Sequence, residues 1–160
     1  MKENVLDVLM YLFENYMDSE IAMFPDQESL KTELMDAGFT HNEVDKAFDW
    51  LEGLASLKEQ AMHTIPLANR SIRLYTNHEL KKLNVECRGF LLFLEQIGVI
   101  DPVMRELVID RVMALEGDEE IDIHQLKWVI LMALFNQPGR EAAFAWIEDQ
   151  VFEEFAPVAH

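Results

Sequence analysis

The nearest approach to a reactive centre in this chain is a lone thiol beside a cation, Cys87 followed by Arg88. A neighbouring positive charge favours the thiolate, the nucleophilic form of cysteine, and His78 is the least implausible partner base. Cys87 also opens a strongly apolar helical segment, where a free cysteine serves as a small hydrophobe. The five histidines, His41, His63, His78, His124 and His160, include no pair three or four residues apart, so they do not converge on a zinc ion. The acidic turn from Glu116 to Asp122 lacks the ligand spacing of a calcium loop. There is no glycine-rich phosphate loop and no nucleophile elbow. The expectation is a non-enzymatic protein that carries no metal or cofactor.

Charge points to binding. Thirteen basic residues stand against thirty acidic ones, a formal charge of −17. Such a charge favours solubility, repels nucleic acid and anionic membranes at long range, and leaves basic protein surfaces as natural partners. One stretch departs from it. Arg70, Arg73, Lys81, Lys82 and Arg88 are opposed only by Glu79 and Glu86, so residues 70–88 carry +3 and the remainder −20. Tyr75 and His78 lie in the same stretch, which is a candidate interaction site for phosphates or an acidic peptide. Pairing with surrounding carboxylates is the alternative use of these cations.

The elements that would position these residues are helical. Apolar residues make up 50 % of the 160 and charged residues 27 %, the balance of a globular chain. A stripe of Val5, Leu9, Leu12, Phe13 and Tyr16 marks a first helix over about 3–18. A second covers about 27–37 and is closed by Gly38. Thr40 and Glu43 form a capping box for a third, which turns Val44, Ala47, Phe48, Leu51 and Leu54 inward. These three make an N-terminal lobe, 1–55. Periodicity fades over 56–75, a connecting segment in which Ile72 to Tyr75 is extended at most.

A C-terminal lobe of about five helices, 76–160, follows. Thr76 with Glu79, then Asp101 with Pro102, then Asp122 mark helix starts. Further helices span about 84–97 and 140–155, the last turning Phe144, Ile147, Val151 and Phe155 inward. Two segments, Phe90–Leu94 and Trp128–Phe135, are unbroken apolar runs, expected to be central and wrapped by neighbours. The fold class is therefore all-α. The longest apolar run is far below the roughly 18 residues that span a bilayer, and Met1 leads straight into an acidic amphipathic segment without a signal-peptide layout. With one cysteine, these features place the protein in the cytoplasm.

Two helical pairs invite comparison with binding motifs. Thr76–Ile97 has helix-turn-helix spacing, but its second helix is filled with Phe90 to Leu94 where base-reading polar groups belong. Leu34–Leu51, with Gly38-Phe39 in the turn, resembles the Gly-Phe loop of ubiquitin-associated three-helix modules. Phe39 is thus either a docking point or a core staple.

Longer stretches carry a family resemblance over essentially the whole chain. They are Val8–Glu14, Asp36–Phe39, Trp50–Glu52, Tyr75-Thr76, and above all Cys87–Gln96 and Leu126–Met132. On these residues the chain resembles the Smg family of bacterial proteins. The resemblance implies a cytoplasmic bacterial protein and supplies no catalytic residue, since the family has no established biochemical activity. Within Cys87–Gln96, Gly89 costs a helix about 1 kcal/mol against alanine, and close packing of another backbone would explain it. The expected function is an acidic adaptor or regulator binding a basic protein surface. The alternative is nucleic-acid binding through residues 70–88.

Overall fold

The computed structural model describes residues 5–16, 27–62, 74–115, 120–135, 137 and 139–153. The fold is all-α. Its helices are α1 (Val5–Tyr16), α2 (Gln27–Asp36), α3 (His41–Met62), α4 (Asn77–Lys82), α5 (Val85–Gln96), α6 (Pro102–Met113), α7 (Ile123–Leu134) and α8 (Glu141–Glu153). Among the described residues the sole extended pairing is an isolated parallel bridge between Leu83 and Ile121. The chain divides into two compact units, Met1–Ala55 and Ser56–His160.

Unit 1 buries Val8, Leu9 and Leu12 of α1, Leu30 and Leu34 of α2, and Val44, Ala47 and Leu54 of α3. These positions recur every three or four residues, which gathers them on one side of each helix. Thr40 caps α3 by accepting from the Glu43 amide at 3.2 Å. Gly38 sits at φ +111°, a left-handed conformation open to glycine, and so turns the chain out of α2. Lys31 of α2 and Asp45 of α3 form an ion pair at 3.3 Å.

One expectation needs correction here. Helix α3 continues to Met62, well into the stretch expected to be a connection, so its last residues belong to unit 2. Its final turns carry Leu57 and Lys58, both half-buried, and Lys58 is anchored on the far end of α7, as described below. The expected extended piece at Ile72-Arg73 lies outside the described residues.

Unit 2 is organised around α7, which packs against α5, α6 and α8. Every residue from Leu126 to Leu134 is buried, as its unbroken apolar run requires. Side-chain caps end the helices where the sequence places them. Asp101 caps α6 by accepting from the Met104 amide at 2.8 Å. Asp122 and Gln125 form a reciprocal box at the start of α7, at 2.7 and 3.0 Å. Gly98, at φ +82°, closes α5. Arg140 pairs with Asp101 and so ties the start of α8 to the start of α6.

The second apolar run departs from expectation. Helix α5 buries Cys87, Leu91 and Leu94 against its neighbours, whereas Leu92 and Phe93 remain 55 % and 45 % exposed. It is a cover laid on the core, not a central helix. A Leu131→Ala substitution in α7 is therefore expected to cost about 2–5 kcal/mol, and Leu92→Ala in α5 under about 1 kcal/mol. Urea unfolding midpoints of the two variants check this contrast, and equal losses would contradict it.

Candidate interaction surface

The basic stretch is built by two short caps in succession. Thr76 accepts from the Glu79 amide at 3.1 Å, and the Glu79 carboxylate accepts from the Thr76 amide at 2.9 Å, which starts α4. Six residues later Lys82 ends the helix, and its carbonyl accepts from the Ile121 amide at 2.9 Å. Asn84 then caps α5 by accepting from the Cys87 amide at 2.9 Å. The chain between α4 and α5 is thereby stapled to the residue preceding the α7 cap.

This staple turns cations inward. Lys82 is buried, and its ammonium donates to the Leu115 carbonyl. Arg88 is half-buried. Its Nε donates to the Leu83 carbonyl at 3.2 Å, and its guanidinium lies 6.0 Å from the centroid of Tyr75. Lys81 and His78 are exposed and Tyr75 is half-buried. Arg70 and Arg73 lie outside the described residues. Among the described candidates, Lys82 and Arg88 satisfy backbone carbonyls, while Lys81 and His78 face solvent.

Cys87 lies under the same staple, fully buried, with its thiol 3.6 Å from the Ile121 carbonyl as donor. Burial first, and then the Glu86 carboxylate, push the thiol up to about 11. The activation that Arg88 offered on sequence grounds is thus reversed: burial disfavours the thiolate, and the guanidinium is directed elsewhere. Among the described residues no group of three or more His, Cys, Asp or Glu side chains is arranged to hold a metal ion.

Phe39, the other candidate, is a core residue of unit 1. It is buried, and its ring meets Tyr11 edge-on at 5.5 Å. Gly38 sets the turn so that the following aromatic points into the bundle, which removes Phe39 as an exposed docking point.

Other cations of unit 2 behave as Lys82 does. Lys127 is buried on α7 with its ammonium 5.5 Å from the Phe90 centroid. Lys58 donates to the carbonyls of Met132 and Phe135 at 2.8 and 2.9 Å, so a cation sits at the negative end of the α7 dipole. Arg105 pairs with Glu95 at 2.7 Å and Glu106 at 2.9 Å, and Arg111 with Asp110 at 2.7 Å. Carboxylates meanwhile stand outward: Glu59, Glu86, Glu120, Asp122, Glu141 and Asp149 are all exposed. The acidic excess is therefore concentrated on the surface, while much of the positive charge is folded into the structure.

Two features escaped the sequence reading. Lys58 fell in the expected connection, and only the continuing helix brings it to α7. The outward side of α5 was hidden by the five-residue apolar run, although Val85 and Leu92, two helical turns apart, were its signal. Gly89, in the same helix, is exposed, and a Cβ there would meet nothing within 4 Å. Among the described residues no backbone packs against it, contrary to expectation.

Fold and surface define an all-α, strongly acidic protein in which no helix among the described residues is long and apolar enough to cross a membrane. The family described as "Protein of unknown function (DUF494)" matches residues 5–160. The chain is 62 % identical over 160 residues, the whole of both chains, to a protein named Protein Smg homolog from Nitrosococcus oceani. It is 51 % identical to the Protein Smg homolog of Alkalilimnicola ehrlichii over 160 residues, again the whole of both. The corresponding protein of Stenotrophomonas maltophilia strain K279a is 52 % identical over 152 residues, 95 % of each chain. The chain belongs to the Smg family of bacterial proteins. No solved structure matches it.

Lys58 supplies a test of the inward cations. Burial lowers its ammonium from 10.5 to about 8. Between these values the unfolded chain binds more protons than the folded one, so this group's contribution to stability rises with pH through that window. The stability of the native protein relative to Lys58→Met should therefore increase by ~1–3 kcal/mol between neutral pH and the upper end of the window. Paired urea titrations at the two pH values measure it, and a difference independent of pH would refute the burial.

Proposed function

We propose that this protein is a non-enzymatic, cytoplasmic adaptor or regulator whose acidic exterior binds a basic surface on another protein. The observation that supports this reading is the division of charge in unit 2. Lys58, Lys82, Arg88 and Lys127 serve carbonyls and aromatic rings, while exposed carboxylates are distributed over the outside. A surface of that kind steers basic partners and repels acidic ones at long range.

Nucleic-acid binding through residues 70–88 draws less support from the same geometry. Lys82 and Arg88, two of its five cations, are directed inward. Phosphate neutralisation needs cations that reach the backbone together.

The test is affinity capture from a bacterial lysate with the intact chain, at low and moderate salt, with and without nuclease. Protein partners with basic surfaces should survive nuclease and be released as salt rises, because screening shortens the attraction. Retention indifferent to salt would contradict the acidic-surface reading. Partners lost on nuclease treatment would favour the nucleic-acid alternative.

A further inference from the structure

Helix α5 and its C-terminal cap carry apolar side chains that the described residues cover only in part. Val85, Leu92, Phe93 and Ile97 are 75, 55, 45 and 48 % exposed, while Cys87, Leu91 and Leu94 are buried. At about 100° per residue the first set falls on the side of the helix away from the second, with Gly89 and Gln96 near its middle. Scattered exposed apolar residues are ordinary, but four gathered on one side of a helix, with Gly89 and Gln96 among them, mark a candidate interaction surface.

Gly89 adds an independent sign. It lies in the interior of a twelve-residue helix, is exposed, and has open space where a Cβ would stand. Glycine there weakens the helix relative to alanine, and among the described residues no turn, positive φ or packing requires it. A second helix laid across α5 would account for it, because a missing Cβ lets two backbones approach closely.

The rim of the strip indicates what would lie there. Glu86 is exposed on α5 itself. Phe93 itself meets the Trp146 ring of α8, 6.3 Å away. The cation of α5, Arg88, is folded back onto Leu83 and Tyr75. An apolar strip with an exposed carboxylate, on a chain carrying −17, disfavours a second copy of the chain and an anionic bilayer, since both would bring like charges together.

We propose that the outward face of α5 is a docking site for an amphipathic helix of a partner protein, with apolar residues at i, i+3 or i+4 and i+7 and Lys or Arg along its edges. This rests on the acidic-adaptor reading and gives it a place and a partner chemistry. Gly89 is the point of closest backbone approach. Leu92 and Val85 supply apolar contact, and Glu86 selects a basic residue on the partner.

The experiment pans a displayed library of peptides of about 20 residues, long enough for a stable helix, against the intact chain. Counter-selection uses the double variant Gly89→Gln/Leu92→Gln. Both positions are exposed, and thermal unfolding should show the variant at least as stable as the native protein, because the glycine leaves the helix interior. The expected winners are basic sequences with helical apolar periodicity. A synthetic winner should bind the native chain, lose about tenfold or more in affinity on the variant, and weaken as salt rises. Basic winners without apolar periodicity that bind both proteins equally would overturn docking on α5 and leave the acidic-adaptor reading standing. Winners with no basic preference, or none at all, would overturn both. Self-association of the native chain in sedimentation, abolished in the variant, would overturn the proposal in favour of a second copy.

Discussion

One helix that must be dry on every side organises unit 2. Nine consecutive residues of α7, Leu126 to Leu134, are buried, and such a helix is stable only if neighbours cover its whole circumference. Helices α5, α6 and α8 do so. Enclosure creates a second demand at the helix ends, where backbone groups have no partner within the helix and little water to replace it. Asp122 and Gln125 meet it at the start. Lys58 meets it at the end, donating to two carbonyls of the last turn.

The charge distribution follows from that enclosure. A long basic side chain can lay its methylene stem along apolar surface and deliver its head group to a carbonyl or a ring. Lys58, Lys82 and Lys127 are all used in this way, and Arg88 partly so. Burying an ammonium is unfavourable unless its hydrogen bonds are replaced, and burial accordingly lowers Lys58 to about 8. Among the described residues no buried side-chain nitrogen or oxygen lacks a hydrogen-bond partner. Carboxylates, shorter and strongly hydrated, gain nothing from the core and remain outside. The acidity of the surface is thus partly a result of how the core is closed.

Elements with local causes were legible in the sequence. Thr76 with Glu79, Asp101 and Asp122 mark helix starts because a side chain two or three residues from an amide either caps it or does not. Helix α7 was legible because an apolar run without a polar position leaves no side for water. What was hidden depends on partners distant in sequence. Lys58 is held at the end of α7, more than seventy residues away. Lys82 and Arg88 read as an outward basic site because sequence does not show that Leu115 and Leu83 carbonyls stand within their reach. The run Phe90–Leu94 read as central because composition alone does not distinguish a helix buried all round from one apolar on two opposite sides.

That last distinction bears on how α5 remains soluble. Its inner side is held by the core, and its outer side exposes apolar surface along a helix weakened by Gly89. In a neutral protein such a strip would invite pairing between copies. Here the whole chain carries −17, and Glu86 is exposed on α5 itself. At physiological salt, charge acts over only about 8 Å, so a carboxylate on the helix, more than the distant total, separates two approaching strips. The same carboxylate attracts a helix edged with lysine or arginine. Acidity and apolarity on α5 are therefore complementary: the first excludes copies of the chain, and the second rewards a partner that can neutralise the edge before it covers the middle.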